Sequence, residues 1–192
     1  MRKVMIMLVL AIVSWGANAQ MNHSMQGMSG MDSKMADKSA TIMVSHSQSV
    51  TAIVNNYLAL KNALVVDNSK KAASSGKMLA DAIGKFDLSS QPASKQAKLK
   101  GILADAKENA EHISASGDQI NHQRMHFEIL GTDIKDLVVI TGADRTLYQI
   151  YCPMFDHQKG GKWLSESKEI RNPLLGSKMT QCGSVVQKIA LK

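Results

Sequence analysis

The sequence predicts a mainly α protein: an antiparallel four-helix bundle with a small C-terminal irregular or β-hairpin segment packed on it. Three observations carry this. Four stretches between residues 49 and 141 repeat apolar residues at helical spacing and are separated by short, breaker-rich links. The chain has 192 residues but only 2 Trp, 3 Tyr and 3 Phe, too few aromatics for a typical sandwich of short strands. After Gly142 the pattern changes to short alternating stretches punctuated by Gly and Pro. A 44% hydrophobic share is enough for a packed core, and the length suits one ordinary domain with a tail.

The first element is an export signal. Arg2 and Lys3 make a basic start, Val4 to Val13 are all apolar, and Ala17-Asn18-Ala19 supplies small residues in an Ala-x-Ala pattern. Ten apolar residues span only about 15 Å as a helix, roughly half the hydrocarbon thickness of a bilayer, so a cleaved signal over 1–19 fits better than a membrane anchor. The reading therefore expects a periplasmic protein without a transmembrane segment after cleavage. Losing Arg2 and Lys3 lowers the net charge from +7 to +5. That whole excess falls beyond residue 156, where seven basic residues face two acidic ones. A basic end can suit nucleic acid, but export and the lack of interleaved aromatics argue against it.

Residues 20–45 are expected to be a flexible tail. They are small and polar, Gly27 and Gly30 interrupt any helix, and Leu, Ile, Val and Phe are missing before Ile42. Into this composition are set Met21, Met25, Met28, Met31 and Met35, with His23. Thioethers cannot be lost to protonation, so such a tail could hold Cu(I). Cleavage after Ala19 makes His23 the fourth residue. Cleavage one residue later would make it the third and create a square-planar amino-terminal Cu(II) site.

The remaining chain, 46–192, is read as the folded domain. The first helix carries Val50, Ile53, Val54, Tyr57, Leu58 and Leu64 inward, with Ser47 or Ser49 as its cap, and stops at Asp67-Asn68-Ser69. A second runs from about Ser69 to Phe86, with Ala72, Leu79, Ile83 and Phe86 inward. Leu88-Ser89-Ser90-Gln91-Pro92 is a turn in which Pro92 suits a first helical position. The third helix shows Leu99, Ile102, Leu103, Ala106, Ala110 and Ile113 and breaks at Ser116-Gly117-Asp118. The fourth shows Ile120, Phe127, Leu130, Ile134, Leu137 and Val138 and ends at Gly142. Beyond it, Leu147 to Tyr151 alternates like a strand, Gly160-Gly161 makes a turn, and Lys162 to Leu164 forms a partner strand. Asn172-Pro173 and Gly176 punctuate the rest, with a short helical turn from Ser177 to Cys182. So short a segment must lie against the helices.

Candidate chemistry concentrates in two places. Cys152 and Met154 stand in Cys-Pro-Met, and Met179 and Cys182 in Met-x-x-Cys. Thiolate and thioether are soft donors, and two such pairs would supply four of them to Cu(I). His122 and His126 share one face of the fourth helix at i, i+4 spacing, whereas Met125 lies about 100° round from His126. The competing reading of the two cysteines is a disulfide, the usual fate of a cysteine pair in an oxidising compartment. It would close a loop of about 30 residues and contribute about 3–4 kcal/mol. Catalysis finds little support: the chain has no Gly-x-Ser-x-Gly, His-Glu-x-x-His, Cys-x-x-Cys or phosphate-cradling loop.

Tyr151-Cys152-Pro153-Met154, Trp163-Leu164-Ser165, Glu169-Ile170-Arg171-Asn172-Pro173, Gly176, Lys178-Met179 and Cys182-Gly183, with Gln123-Arg124-Met125-His126-Phe127 upstream, resemble a bacterial domain family of unknown function. That family occurs in exported proteins and at the C-terminus of some heavy-metal efflux periplasmic adaptor subunits. Leu174 departs from the pattern, where an aromatic is expected after Asn-Pro. The resemblance covers roughly residues 50–190 and implies a helical domain linked with copper or other heavy-metal handling. The expectation is a non-enzymatic periplasmic Cu(I)-binding protein, a chaperone or an accessory of heavy-metal resistance or efflux. Its ligands would be Cys152, Met154, Met179 and Cys182, with His122 and His126 nearby and the tail to capture the ion. The alternative is an interaction module stapled by the two cysteines, without metal there.

Overall fold

Helix boundaries in the computed structural model, which describes residues 39–192, follow the breakers in the sequence. Helix α1 runs Thr51–Val65, α2 Ser69–Gly84, α3 Ala93–Ala115 and α4 Ile120–Thr141. The expected serine cap of α1 does not form. Val50 occupies the cap position without a side-chain bond, while Ser47 and Ser49 bond each other through their hydroxyls at 2.8 Å. Asn68 does cap α2, its Oδ1 accepting from the Lys71 amide at 2.9 Å. Pro92 sits at the cap position of α3, one residue before its expected place.

The chain is mainly helical, with a small mixed sheet. Each helix packs along the next, from α1 through α4, and α1 meets α4 over a shorter stretch. There the Tyr57 and Phe127 rings stack at 5.0 Å. Buried Ala72, Ala106 and Ala110 let neighbouring helices approach closely, which is how a core with few aromatics fills its volume.

The C-terminal segment is more ordered than expected. Strand β2, Leu147–Cys152, and β3, Gly161–Ser165, form the anticipated antiparallel hairpin, with Tyr148 opposite Ser165 and Tyr151 opposite Lys162. Two further strands complete the sheet. Strand β4, Ser184–Leu191, pairs antiparallel with β2, and β1, Ala40–Val44, pairs parallel with β4, giving the order β1-β4-β2-β3. Neither was anticipated. Gln187 and Lys188 interrupt the apolar pattern of β4, and a register shift at Gln149/Ile150 spoils strict alternation in its pairing. Strand β1 lies within the stretch read as a tail. Ile42 and Met43 look isolated in sequence and form a strand only by pairing with distant Ile189 and Ala190.

Gly142 explains how the strand leading from β1 reaches the end of α4. It ends α4 at φ 91°, and a Cβ there would lie 2.3 Å from the Ser45 carbonyl oxygen. The bare backbone lets residues 45–47 bond alongside Ala143, with Ser47 N donating to its carbonyl at 2.8 Å. On the other flank the sheet is held to α1, where the Leu164 amide donates to the Tyr57 hydroxyl at 3.0 Å. Trp163 and Leu164 are buried in the core that helices and sheet share. Among the described residues no helix is long and apolar enough to cross a membrane.

Candidate metal centre

The turn between α3 and α4 sets the site. In a helical hairpin, residues equidistant from the turn face one another, since both helices rise equally per residue. Asn109 therefore meets His126, and His112 lies over the His126 ring with His122 nearby. The three histidines place ring nitrogens within 4.8 Å of one another, with His112 exposed and His122 and His126 half-buried. The His126 and His122 Nε2 atoms are 3.2 Å apart. The His112 and His126 rings stack at 4.6 Å and 7°, and His122 meets His126 edge-on at 4.6 Å.

Asn109 decides which nitrogen of His126 faces this cluster. Its amide Nδ2 donates to the Asp105 carbonyl at 2.9 Å, which leaves Oδ1 as an acceptor 2.9 Å from His126 Nδ1. Neutral His126 therefore carries its proton on Nδ1 and turns the Nε2 lone pair toward His122. Burial, then the neighbouring His122 and His112, push the His126 pKa below the ordinary imidazole value, against the pull of Glu108. Neutral imidazole is the form that binds a metal. Two nitrogens on one tetrahedral ion at about 2.0–2.1 Å would lie about 3.3 Å apart, close to the His122–His126 spacing. Exposed His112 would close the remaining distance by turning about its side-chain bonds.

The residues read as soft ligands are arranged differently. Cys152 and Cys182 are joined in a disulfide, with Cys152 buried. This is the alternative that the sequence left open. Thiolates bind metal and bridged sulfurs are not thiolates, so in this form the two cysteines are not donors to a four-sulfur Cu(I) site. Met154 and Met179 are exposed and lie in sequence inside the loop that the bridge closes. Met125 is also exposed and lines a shallow surface depression with His122. Residues Met21, His23, Met25, Met28, Met31 and Met35, and the expected signal over 1–19, lie outside the described residues. His112 was not anticipated. Its signal was present in the equal distances of residues 112 and 122 from the Gly117 turn.

Most of the sequence motif around these histidines has structural work. The Gln123 amide donates to the carbonyls of Ser69 and Gly117 at 3.1 and 2.9 Å, tying the α1–α2 and α3–α4 turns together. Buried Arg124 donates to the carbonyls of Pro173 at 2.9 Å and Leu64 at 3.0 Å and pairs with Asp67. Burial alone would raise the Asp67 pKa, but hydrogen bonds from Ser177 and Arg124 outweigh it and hold the carboxyl below its usual value. Asn172 braces the facing loop: its Oδ1 accepts from the amides of Leu174 and Leu175 at 2.7 and 2.9 Å, and its Nδ2 donates to the Cys182 carbonyl at 2.8 Å. Gly176 has φ 57° and lies so close that a Cβ would fall 2.1 Å from an Arg124 nitrogen. Leu174, in place of the expected aromatic, is buried in the core. Of the five residues from Gln123 to Phe127, His126 is the one whose polar atoms face a potential ligand.

Residues 53–146 match the model of a family described as "Protein of unknown function (DUF3347)". The chain matches no curated protein and no solved structure. The DUF3347 span begins within α1 and stops just before β2. It thus contains His112, His122, His126 and the orienting Asn109, and it excludes Cys152 and Cys182.

Proposed function

We propose that this chain is an exported, periplasmic metal-binding protein on a helical-bundle scaffold. It handles copper or a related heavy metal as a chaperone, or as an accessory to resistance or efflux, and it binds the ion without turning over a substrate. The observation that carries this reading is the meeting of three imidazoles from two helices with ring nitrogens within 4.8 Å. Imidazole suits copper and zinc. The methionines of the segment before β1 add soft thioether donors that suit Cu(I), His23 adds an imidazole, and the resemblance to a family linked with heavy-metal handling points the same way.

Full-length protein recovered from the periplasm and dialysed against copper, with and without reductant, is expected to retain at least one ion per chain by elemental analysis. Protein that retains none under either condition overturns the proposal. The Cys152–Cys182 bridge favours one other reading, a stapled interaction module, and that result would support it.

A further inference from the structure

Resting on that reading, we infer that His112, His122 and His126 form a site for a borderline divalent cation, of the Cu(II), Zn(II) or Ni(II) class, and that Asn109 is its positioning residue. The donor set is three nitrogens, with no thiolate among them. Nitrogen donors favour borderline divalent ions, whereas a soft monovalent ion prefers sulfur. The site therefore differs in kind from the methionine-bearing segment of the same chain. Three protein ligands leave a fourth position open to water or an incoming group, the arrangement of exchangeable rather than closed structural sites.

Asn109 does here what a carboxylate or carbonyl commonly does behind a metal-bound histidine. Its Oδ1 accepts the hydrogen bond of the His126 nitrogen that faces away from the ion, fixing tautomer and ring orientation together. Its own amide is anchored one turn back on the Asp105 carbonyl, so its acceptor cannot be exchanged for a donor without losing that bond. His126 is thereby held with its lone pair toward His122 Nε2, 3.2 Å away, before any ion arrives. His112 must turn, and His122, which donates its Nε2–H to His126 Nε2 in the metal-free chain, must move that proton to Nδ1. His112 is exposed, and its Nε2 has the Glu108 carboxylate 3.8 Å away as a weak alternative partner. The orientation of His126 is therefore preorganised.

The test uses the untagged full chain and Co(II) followed by Zn(II), which avoids a Cu(II) site at the amino terminus. Wild type is expected to give visible ligand-field bands of a nitrogen-rich tetrahedral Co(II) centre, bleached by one equivalent of Zn(II). His112→Ala, His122→Ala and His126→Ala should each weaken Zn(II) binding at least about 10-fold. Asn109→Leu should weaken it by about 10- to 100-fold, the usual range for a lost orienting partner. Asn109→Asp should restore it. Nitrogen-15 spectra of the metal-free protein should show His126 protonated on Nδ1 in wild type and in Asn109→Asp, and shifted toward Nε2–H in Asn109→Leu. Circular dichroism checks that each variant is folded. Zn(II) affinity unchanged by all three histidine substitutions overturns the site. An Asn109→Leu protein with wild-type affinity and tautomer overturns the positioning role. If wild type still binds Cu(I) under reductant while the histidine variants bind Zn(II) normally, this inference fails and the broader reading stands. A wild type that takes no ion in either experiment removes both.

Discussion

The α3–α4 hairpin and the C-terminal Cys/Met segment both carry candidate metal donors, and the fold puts them to different ends. The C-terminal segment has the more distinctive sequence, and its structure uses that distinctiveness for architecture. Its cysteines are bridged, Asn172 folds the loop, and Gly176 lets it settle against Arg124. The hairpin has a generic helical sequence, and it presents three nitrogen donors with one tautomer already chosen. The comparison teaches that an unusual motif is not where binding chemistry must lie. A ligand site needs donors left unused by the fold, and the fold consumed both thiols of the C-terminal segment.

The largest effect expected on the architectural side is that of Arg124→Ala. It should destabilise the protein by about 3–5 kcal/mol in urea unfolding, because two buried carbonyls and Asp67 lose a charged partner together. A loss under 1 kcal/mol would show that the C-terminal loop is not held through this residue. Next is Cys152→Ser/Cys182→Ser. Opening a loop of sequence separation 30 should remove about 3–4 kcal/mol of stability. The folded variant should keep wild-type Zn(II) affinity; a Zn(II) site lost along with the bridge would erase the contrast between the two regions.

The smallest effect sharpens the hairpin side. Asp133 on α4 has its pKa raised to about 6, first by burial and then by Asp105 and Asp136. A carboxyl with a folded pKa above its unfolded value of 3.8 holds its proton more tightly when folded. Its stabilisation is full below pH 3.8 and is lost as pH rises through about 6. Asp133→Asn should therefore raise Tm relative to wild type at pH 7, with a difference that shrinks toward pH 4 in thermal scans. A constant difference across that range would mean that the carboxyl is not strained by its surroundings. Zn(II) affinity should not move, since Asp133 is not among the ion's donors.

Much of the helical layer was legible because its signals are local. The apolar spacing of Ile53, Tyr57, Leu58 and Leu64 and the Gly142 stop each act within a turn or two of chain. The β2–β3 hairpin was legible for the same reason. The β1–β4 pairing was not, because neither strand alternates cleanly and each is stabilised by the other across almost the whole domain. Of the site, His122 and His126 followed from i, i+4 spacing. His112 and Asn109 required folding the hairpin at Gly117 and asking which residues then lie opposite.

By itself the sequence determined the helices, their breaks, the hairpin, the basic end and the supply of soft and imidazole donors. These depend on backbone preference and on side-chain periodicity over a few residues. Only the tertiary structure decided which donors remain available. It brought Cys152 to Cys182, set Arg124 against Asp67 and Pro173, and left three histidines facing one another with His126 oriented by Asn109. The physical reason is that a donor's fate depends on what lies across from it, and that neighbour is set by packing between segments far apart in the chain.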